Sequence, residues 1–128
     1  MAVESRPGCT WIGVDRRTGA LEELAKRCRE AGFSHRIFAV CCSVGDVPAI
    51  FPAGCADAVT ANPPYGVEGK TRPSPDRGRD VSRRGPGLLL HEFLRAASHL
   101  LRPGGQLCTV NRPANLDRIL TGCSAFGM

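Results

Sequence analysis

Residues 56–65 read ADAVTANPPY, an apolar run followed by Asn62-Pro63-Pro64-Tyr65. The run from Ala56 to Ala61 predicts a buried strand, and the prolines end it because proline has no N–H to donate to a strand ladder. Pro63 also favours an extended conformation at Asn62. The strand tip then presents two acceptors, an amide oxygen and a prolyl carbonyl, beside an aromatic ring. This set can hold a planar, conjugated amino group, although Asn-Pro-Pro is also a common turn.

Apolar strands and amphipathic helices alternate along the rest of the chain. Strands are predicted at residues 10–14, ending at Asp15, and at 36–42, 56–61 and 106–110. A helix capped by Thr18 is predicted to stop at Gly32, because glycine favours the position just after a helix. A long helix at residues 88–101 ends in a Pro103–Gly105 turn, and a short helix capped by Asn115 follows. This order predicts an α/β fold with a parallel, doubly wound sheet.

Size and composition exclude several classes of protein. The chain has 128 residues, enough for one domain or part of one, and 42% of them are hydrophobic, which excludes general disorder. It has no apolar run of about 20 residues and no secretory signal, so we expect no membrane association and a cytoplasmic location. Seven cysteines without a CxxC pair argue against disulfides and zinc, and predict buried free thiols. Three scattered histidines suggest no metal site, and nothing indicates the oligomeric state.

Positive charge is concentrated in one segment of the chain. The net charge is +5, and residues 66–87 form a predicted loop rich in proline, glycine and arginine. The basic residues of this loop are Lys70, Arg72, Arg77, Arg79, Arg83 and Arg84. Such a loop is either an ordinary solvated connection or a segment that contacts phosphates. Because it follows Tyr65 closely, we favour contact with nucleic acid.

Polar residues follow three of the predicted strands. Open α/β sheets bind ligands beyond the carboxyl ends of their strands. Asp15 ends the first strand, where a carboxylate can accept both hydroxyls of a ribose; the alternative is an ordinary turn aspartate. Ser43 and Asp46 follow the second strand, where an adenine ring would need a hydrogen-bonding partner. Asn62 ends the third strand.

These strand ends resemble those of class I S-adenosylmethionine-dependent methyltransferases of the Asn-Pro-Pro-Tyr type. Ile12-Gly13-Val14-Asp15 is similar to the ribose-binding strand end of that family, and Asn62-Pro63-Pro64-Tyr65 to its catalytic motif. Leu101-Arg102-Pro103-Gly104-Gly105 is similar to its turn before the fifth strand. More narrowly, Val110-Asn111-Arg112-Pro113 with Leu116 resembles bacterial tRNA adenine-N6 methyltransferases that act on a valine tRNA.

The resemblance implies a Rossmann-like methyltransferase fold with helices on both faces of a mostly parallel sheet. It implies S-adenosylmethionine as cofactor, bound by Asp15, Ser43, Val44 and Asn62. It implies catalysis by Asn62, Pro63, Pro64 and Tyr65 on the exocyclic amine of adenine in tRNA. Tyr65 would stack on the base, and the basic residues of the 66–87 loop would contact the nucleic acid.

Three alternatives stay open beside that interpretation. The same chemistry could act on DNA, on guanine N2 or on a protein glutamine. The chain could also be an inactive fragment that binds nucleic acid through residues 70–84. A nicotinamide-dependent oxidoreductase would use Asp15 on the ribose, but the chain lacks GxGxxG and the Asn62–Tyr65 motif then has no role.

The chain also departs from the family pattern. The glycine-rich loop that approaches the cofactor's methionine part is absent, and Ser43 stands where the family often has an acidic residue. Residues 1–128 are therefore expected to be a partial methyltransferase domain, lacking the first strand and the C-terminal strands, with little activity alone. The strands ending at Asp15 and Ala61 would lose their shared partner, and either pair directly or leave the fragment marginally stable.

Overall fold

A computed structural model describes residues 8–63 and 86–128, which divide between two compact units, Met1–Val47 and Pro48–Met128. In the first unit, β1 (Trp11–Asp15) is followed by α1 (Thr18–Glu30) and β2 (Ile37–Cys41). The strands β1 and β2 pair in parallel, from Trp11 opposite Ile37 to Asp15 opposite Cys41. This unit is a β-α-β motif, as the alternating sequence pattern predicts.

Helix α1 packs directly on the backbone of β1. A Cβ atom on Gly13 would lie 2.6 Å from Leu24 Cδ2, so any larger residue there would require the Leu24 side chain to move. Leu21 and Cys28 are the buried residues of the helix. Gly32 has φ of +74°, and the N–H groups of Gly32 and Phe33 donate to the carbonyls of Arg29 and Cys28. The predicted stop at Gly32 is confirmed, with the hydrogen bonds of a Schellman motif.

The predicted cap at Thr18 is wrong. Thr18 is the first helical residue, and Arg17 precedes it without a side-chain capping bond. The nearby side chain of Asp15 instead accepts the backbone N–H of Arg17 at 2.9 Å. The N–H groups of Ala20 and Leu21, which a Thr18 cap would accept, donate instead to the Arg17 carbonyl.

The second unit repeats the strand–helix–strand order. After α2 (Val47–Ile50), which spans the boundary between the units, come β3 (Ala56–Ala61), α3 (Pro86–Leu100) and β4 (Leu101–Thr109). The strands β3 and β4 pair in parallel. Helix α3 begins two residues before its predicted start and contacts both strands. The rest of the predicted 66–87 loop, up to residue 85, lies outside the described residues.

The predicted Pro103–Gly105 turn is a bulge inside β4 rather than a separate turn after the helix. Ala56 pairs with Leu101 and Ala58 pairs with Gln106, so residues 102–105 bulge out opposite Asp57. Gly104 has φ of +77°, which favours glycine. The strand therefore begins at Leu101, directly after α3, and not at Gln106.

The last helix, α4 (Leu116–Ala125), closes the core of this unit against α3. Leu94 is only 2% exposed, and Ile119 is buried on α4. Asn115 precedes α4 but makes no capping bond, so that prediction is wrong; its side-chain amide donates to Asn111 Oδ1 instead. His99, at the end of α3, contacts the carbonyl of Phe51 through Nε2 at 2.8 Å.

Two glycines in helices are expected to respond oppositely to alanine. A Cβ on Gly122 would lie 2.3 Å from buried Leu94 Cδ1, whereas a Cβ on Gly19 meets nothing within 4 Å. Alanine favours a helix by about 1 kcal/mol over glycine, but overpacking a core costs about 1–3 kcal/mol. We expect Gly122→Ala to lower the free energy of unfolding by about 1 kcal/mol and Gly19→Ala to raise it by about 0.5 kcal/mol. Urea titrations followed by circular dichroism measure both; a stabilised Gly122→Ala variant would show that Leu94 moves aside freely.

The described strands form separate pairs, β1 with β2 and β3 with β4. Of the two alternatives expected for the strands ending at Asp15 and Ala61, direct pairing is therefore not observed among the described residues. The prediction of a buried third strand is also wrong, because no residue of β3 is buried and Asp57, Ala58 and Thr60 are exposed. With only β4 as a hydrogen-bonded neighbour among the described strands, part of β3 stays open to solvent. In the first unit, Ile12 and Phe38 sit opposite each other and are each 51% exposed.

All seven cysteines are free, but only Cys28 is buried. Cys41, Cys55 and Cys108 are exposed, which corrects the prediction of uniformly buried thiols. Cys41 and Cys108 lie in strands β2 and β4, and Cys55 directly precedes β3. Among the helices of residues 8–63 and 86–128, none is both long and apolar enough to cross a membrane.

Candidate functional site

The carboxyl ends of β1 and β2 bring the predicted ribose and adenine residues to one edge of the first unit. Asp15 is opposite Cys41, and Cys42 donates its N–H to the Asp15 carbonyl at 3.2 Å. Ser43 and Val44 follow directly. Parallel pairing with this register therefore places Asp15, Ser43 and Val44 at the same strand ends, the edge at which α/β folds bind ligands.

Asp15 is held by a residue that the sequence analysis did not consider. Besides the backbone N–H of Arg17, its carboxylate accepts Arg17 Nε at 3.2 Å and Arg17 Nη2 at 3.1 Å. The side chains of Arg17 and Asp15 are 74% and 31% exposed, so the guanidinium lies mostly in solvent. The sequence Asp15-Arg16-Arg17 places a cation two residues after the carboxylate, and this spacing could have predicted the ion pair.

The Arg17 hydrogen bonds lower the pKa of Asp15 below its ordinary value of 3.8, despite an opposing effect of burial. The carboxylate is therefore ionised at neutral pH and can act only as an acceptor. Because the folded-state pKa is lowered, the pair stabilises the fold above pH 3.8, and this contribution is lost as the pH falls below that value.

The segment after β2 is a short turn built around Ser43. Ser43 Oγ accepts the N–H of Gly45 at 3.4 Å, at the start of a single 3₁₀ turn (Val44–Asp46). Because that bond uses the serine oxygen as acceptor, its hydroxyl hydrogen can still donate to a ligand. Burial, with smaller effects of Asp46 and Cys41, raises the pKa of the neighbouring Cys42 thiol, which makes it a poor nucleophile.

The second unit has its own strand end of interest, at Asn62. Ala61 is opposite Thr109, and Val110 donates its N–H to the Ala61 carbonyl at 3.2 Å. Asn62 follows at once and is exposed, whereas Pro63 is buried. The strand thus ends where the sequence predicts. Pro64, Tyr65 and the basic residues at 70, 72, 77, 79, 83 and 84 lie outside the described residues.

The exit from β4 contains a side-chain network that the sequence analysis missed. Asn111 Oδ1 accepts the backbone N–H of Arg112 at 2.9 Å and Asn115 Nδ2 at 2.8 Å. The two asparagines are four residues apart and span the 3₁₀ turn Pro113–Asn115 that leads into α4. The sequence indicated Asn111 only through a family resemblance. An asparagine just after a strand and before a proline turn could have predicted this network.

No metal cluster marks these strand ends within residues 8–63 and 86–128. In the part of the chain that the structure describes, no group of three or more histidine, cysteine or acidic residues could hold a metal ion. An open cavity of about 260 Å³ is lined by Ala25, Cys28, Arg29, Ser34 and Ile37. Ile37 begins β2, so this cavity lies at the opposite end of that strand from Ser43.

Comparison with solved structures shows the fold of the chain. It superposes on the [4+2]-cyclase SpnF with a TM-score of 0.62 and 20% sequence identity, covering 98% of this chain. The α/β, Rossmann-like fold expected from the sequence is therefore confirmed, and it is a fold that an enzyme uses. The chain spans 45% of the length of SpnF. No protein-family model matches the chain, and no curated protein is significantly similar to it.

Proposed function

We propose that the chain is part of an S-adenosylmethionine-dependent N-methyltransferase that acts on the exocyclic amine of adenine in tRNA. The observation that carries the proposal is the exposed Asn62, followed by buried Pro63, at the carboxyl end of a parallel strand in a Rossmann-like fold. That edge is where such folds bind substrates and cofactors. The SpnF likeness supports the fold, and the Asn62–Tyr65 motif supports the chemistry.

The residues at the first unit's strand ends suit the proposed cofactor. Asp15 is ionised and half-buried, so its carboxylate can accept ribose hydroxyls. Ser43 can donate its hydroxyl hydrogen to an adenine ring nitrogen, and Val44 adds apolar surface beside it. When bound, S-adenosylmethionine supplies an electrophilic methyl group, so no protein nucleophile is needed.

The residues at the end of β3 act on the amine. The lone pair of an adenine amino group is delocalised into the ring, which makes the nitrogen a poor nucleophile. The Asn62 amide oxygen and the Pro63 carbonyl would accept its two hydrogens and so localise the lone pair on nitrogen. Tyr65 would stack on the extruded base, a contact typically worth about 1–3 kcal/mol. Positioning and preorganised acceptors then supply the rate.

Transfer of a labelled methyl group tests the substrate. The full-length enzyme that contains this chain is incubated with tritiated S-adenosylmethionine and, in separate reactions, with tRNA, duplex DNA or a glutamine-bearing protein. Label in tRNA, recovered as N6-methyladenosine, supports the proposal. Label in protein alone contradicts the RNA assignment, and label in guanine contradicts the adenine assignment. Titration calorimetry in which the full-length enzyme that contains this chain does not bind S-adenosylmethionine contradicts the cofactor, whereas the 128-residue chain alone is expected to bind it weakly or not at all.

Arg17 competes with a ribose for Asp15, which gives a second test. We expect Arg17→Ala to tighten binding of S-adenosylhomocysteine by about two- to fivefold, because an exposed ion pair no longer has to open. Arg16→Ala is the matched control, since it removes the same charge without removing the bonds to the Asp15 side chain. Calorimetry measures both. Weaker binding by Arg17→Ala would mean that Arg17 contacts the ligand itself.

A further inference from the structure

Asn111 lies next to the acceptors that the proposed reaction uses. The bond from Val110 N–H to the Ala61 carbonyl continues the pairing of β4 with β3 by one residue beyond Thr109. Val110 therefore lies abreast of Asn62, and Asn111 is one step further along the same edge. In the second unit, an asparagine therefore follows each of the two paired strands: Asn62 follows β3 and Asn111 follows β4.

The orientation of the Asn111 amide is fixed by its partners. A backbone N–H can only donate, so the Asn111 atom that faces Arg112 N at 2.9 Å is the oxygen. The same oxygen accepts Asn115 Nδ2. The NH₂ group therefore lies on the other branch of the side chain, and within residues 8–63 and 86–128 it makes no hydrogen bond. Asn111 is half-buried, so this donor is held in place but reachable.

We infer that Asn111 is a specificity-determining residue, whose Nδ2–H donates to the acceptor atom that adjoins the methylated amine. The inference rests on the proposed function and names the recognised edge. Asn62 and Pro63 supply acceptors for the amine hydrogens, and Asn111 supplies the complementary donor. A substrate that matches these three groups has an amino group beside a hydrogen-bond acceptor. The amino group of adenine, with its neighbouring ring nitrogen, is such a pair. An alkyl amine has no adjoining acceptor.

The variant Asn111→Asp separates this role from a structural one. Aspartate keeps an oxygen for Arg112 N–H and Asn115 Nδ2, so the turn into α4 should be retained and the melting temperature unchanged. It replaces the donor by a carboxylate oxygen that repels a ring nitrogen. We expect kcat/KM for adenine methylation to fall about 10- to 100-fold, while S-adenosylhomocysteine affinity is unchanged.

Deaza substrates make the test independent of folding. Oligoribonucleotides carry adenine, 1-deazaadenine or 7-deazaadenine at the target position, and each is methylated by wild-type chain and by Asn111→Asp. The ratio of the two rates should fall towards one for the analogue that lacks the recognised nitrogen. Fluorescence anisotropy of the same oligonucleotides with S-adenosylhomocysteine should give the same pattern in binding.

The outcomes are distinguishable. A rate ratio that is the same for all three bases, or an Asn111→Asp variant as active as wild type, overturns the role of Asn111 and leaves the proposed function intact. Failure of the full-length wild-type enzyme that contains this chain to methylate or bind any adenine substrate overturns both.

Discussion

We expect Asn62→Ala to lower the rate of methyl transfer about 10²- to 10³-fold, because it removes one of the two acceptors that polarise the amine. Asn62 is exposed at the end of β3, so its truncation should leave the fold and the affinity for S-adenosylhomocysteine unchanged. Single-turnover transfer of a tritiated methyl group measures the effect.

Asn62→Asp is the matched control for that variant. Its carboxylate retains an acceptor oxygen, so we expect it to keep far more activity than the alanine variant. An Asn62→Ala chain with undiminished transfer would contradict the assigned role. Salt-sensitive RNA binding, unaffected by Asn62→Ala and without any methyl transfer by the wild type, would identify the chain as a non-catalytic RNA-binding fragment.

Replacement of Leu94 by alanine should have the largest effect on stability. Leu94 is 2% exposed and packs against Gly122 of α4. Truncating a buried leucine costs about 2–5 kcal/mol, a large fraction of the roughly 5–15 kcal/mol that stabilises a typical domain. We expect Leu94→Ala to unfold at markedly lower urea concentration, followed by circular dichroism.

The chain offers a control with the same chemistry. Leu120 on α4 is 59% exposed, and its replacement by alanine should change the free energy of unfolding by at most about 0.5 kcal/mol. Equal effects of the two substitutions would show that α3 and α4 do not pack together in solution as described.

The regular elements were predictable because their signals are local. The strand at residues 56–61 matches its prediction at both ends, since proline stops pairing abruptly. The stop at Gly32 also follows from one residue and its allowed φ. Both predicted helix caps are wrong, because the N–H groups that Thr18 would accept donate to the Arg17 carbonyl, and the Asn115 side chain donates to Asn111 Oδ1 instead of accepting an N–H of α4. Which acceptor each of these donors binds depends on the backbone geometry, which the order of the residues does not specify.

The candidate site was predictable in part for the same reason. The sequence assigns Asp15, Ser43 and Asn62 to strand ends, and the described strands end there. The hydrogen-bond partners of these side chains were harder to predict from the sequence. The Arg17 side chain could have pointed anywhere, and only the structure shows it folded back on Asp15. The orientation of the Asn111 amide depends on its hydrogen bonds to Arg112 and Asn115 in the turn that follows β4.

The repeated β-α-β order has a consequence for synthesis of the chain. All the strands of the first unit have emerged from the ribosome once Cys41 is free, so β1 and β2 can pair early. The strand β3 must wait for β4, whose partner residues lie about 40–50 positions later, which at 5–20 residues per second takes roughly 2–10 s. During that interval Asn62 ends a strand, β3, whose backbone N–H and C=O groups have not yet paired with β4. The unpaired edge of β3 is then accessible to a nascent-chain chaperone and to premature pairing with a strand of a neighbouring chain.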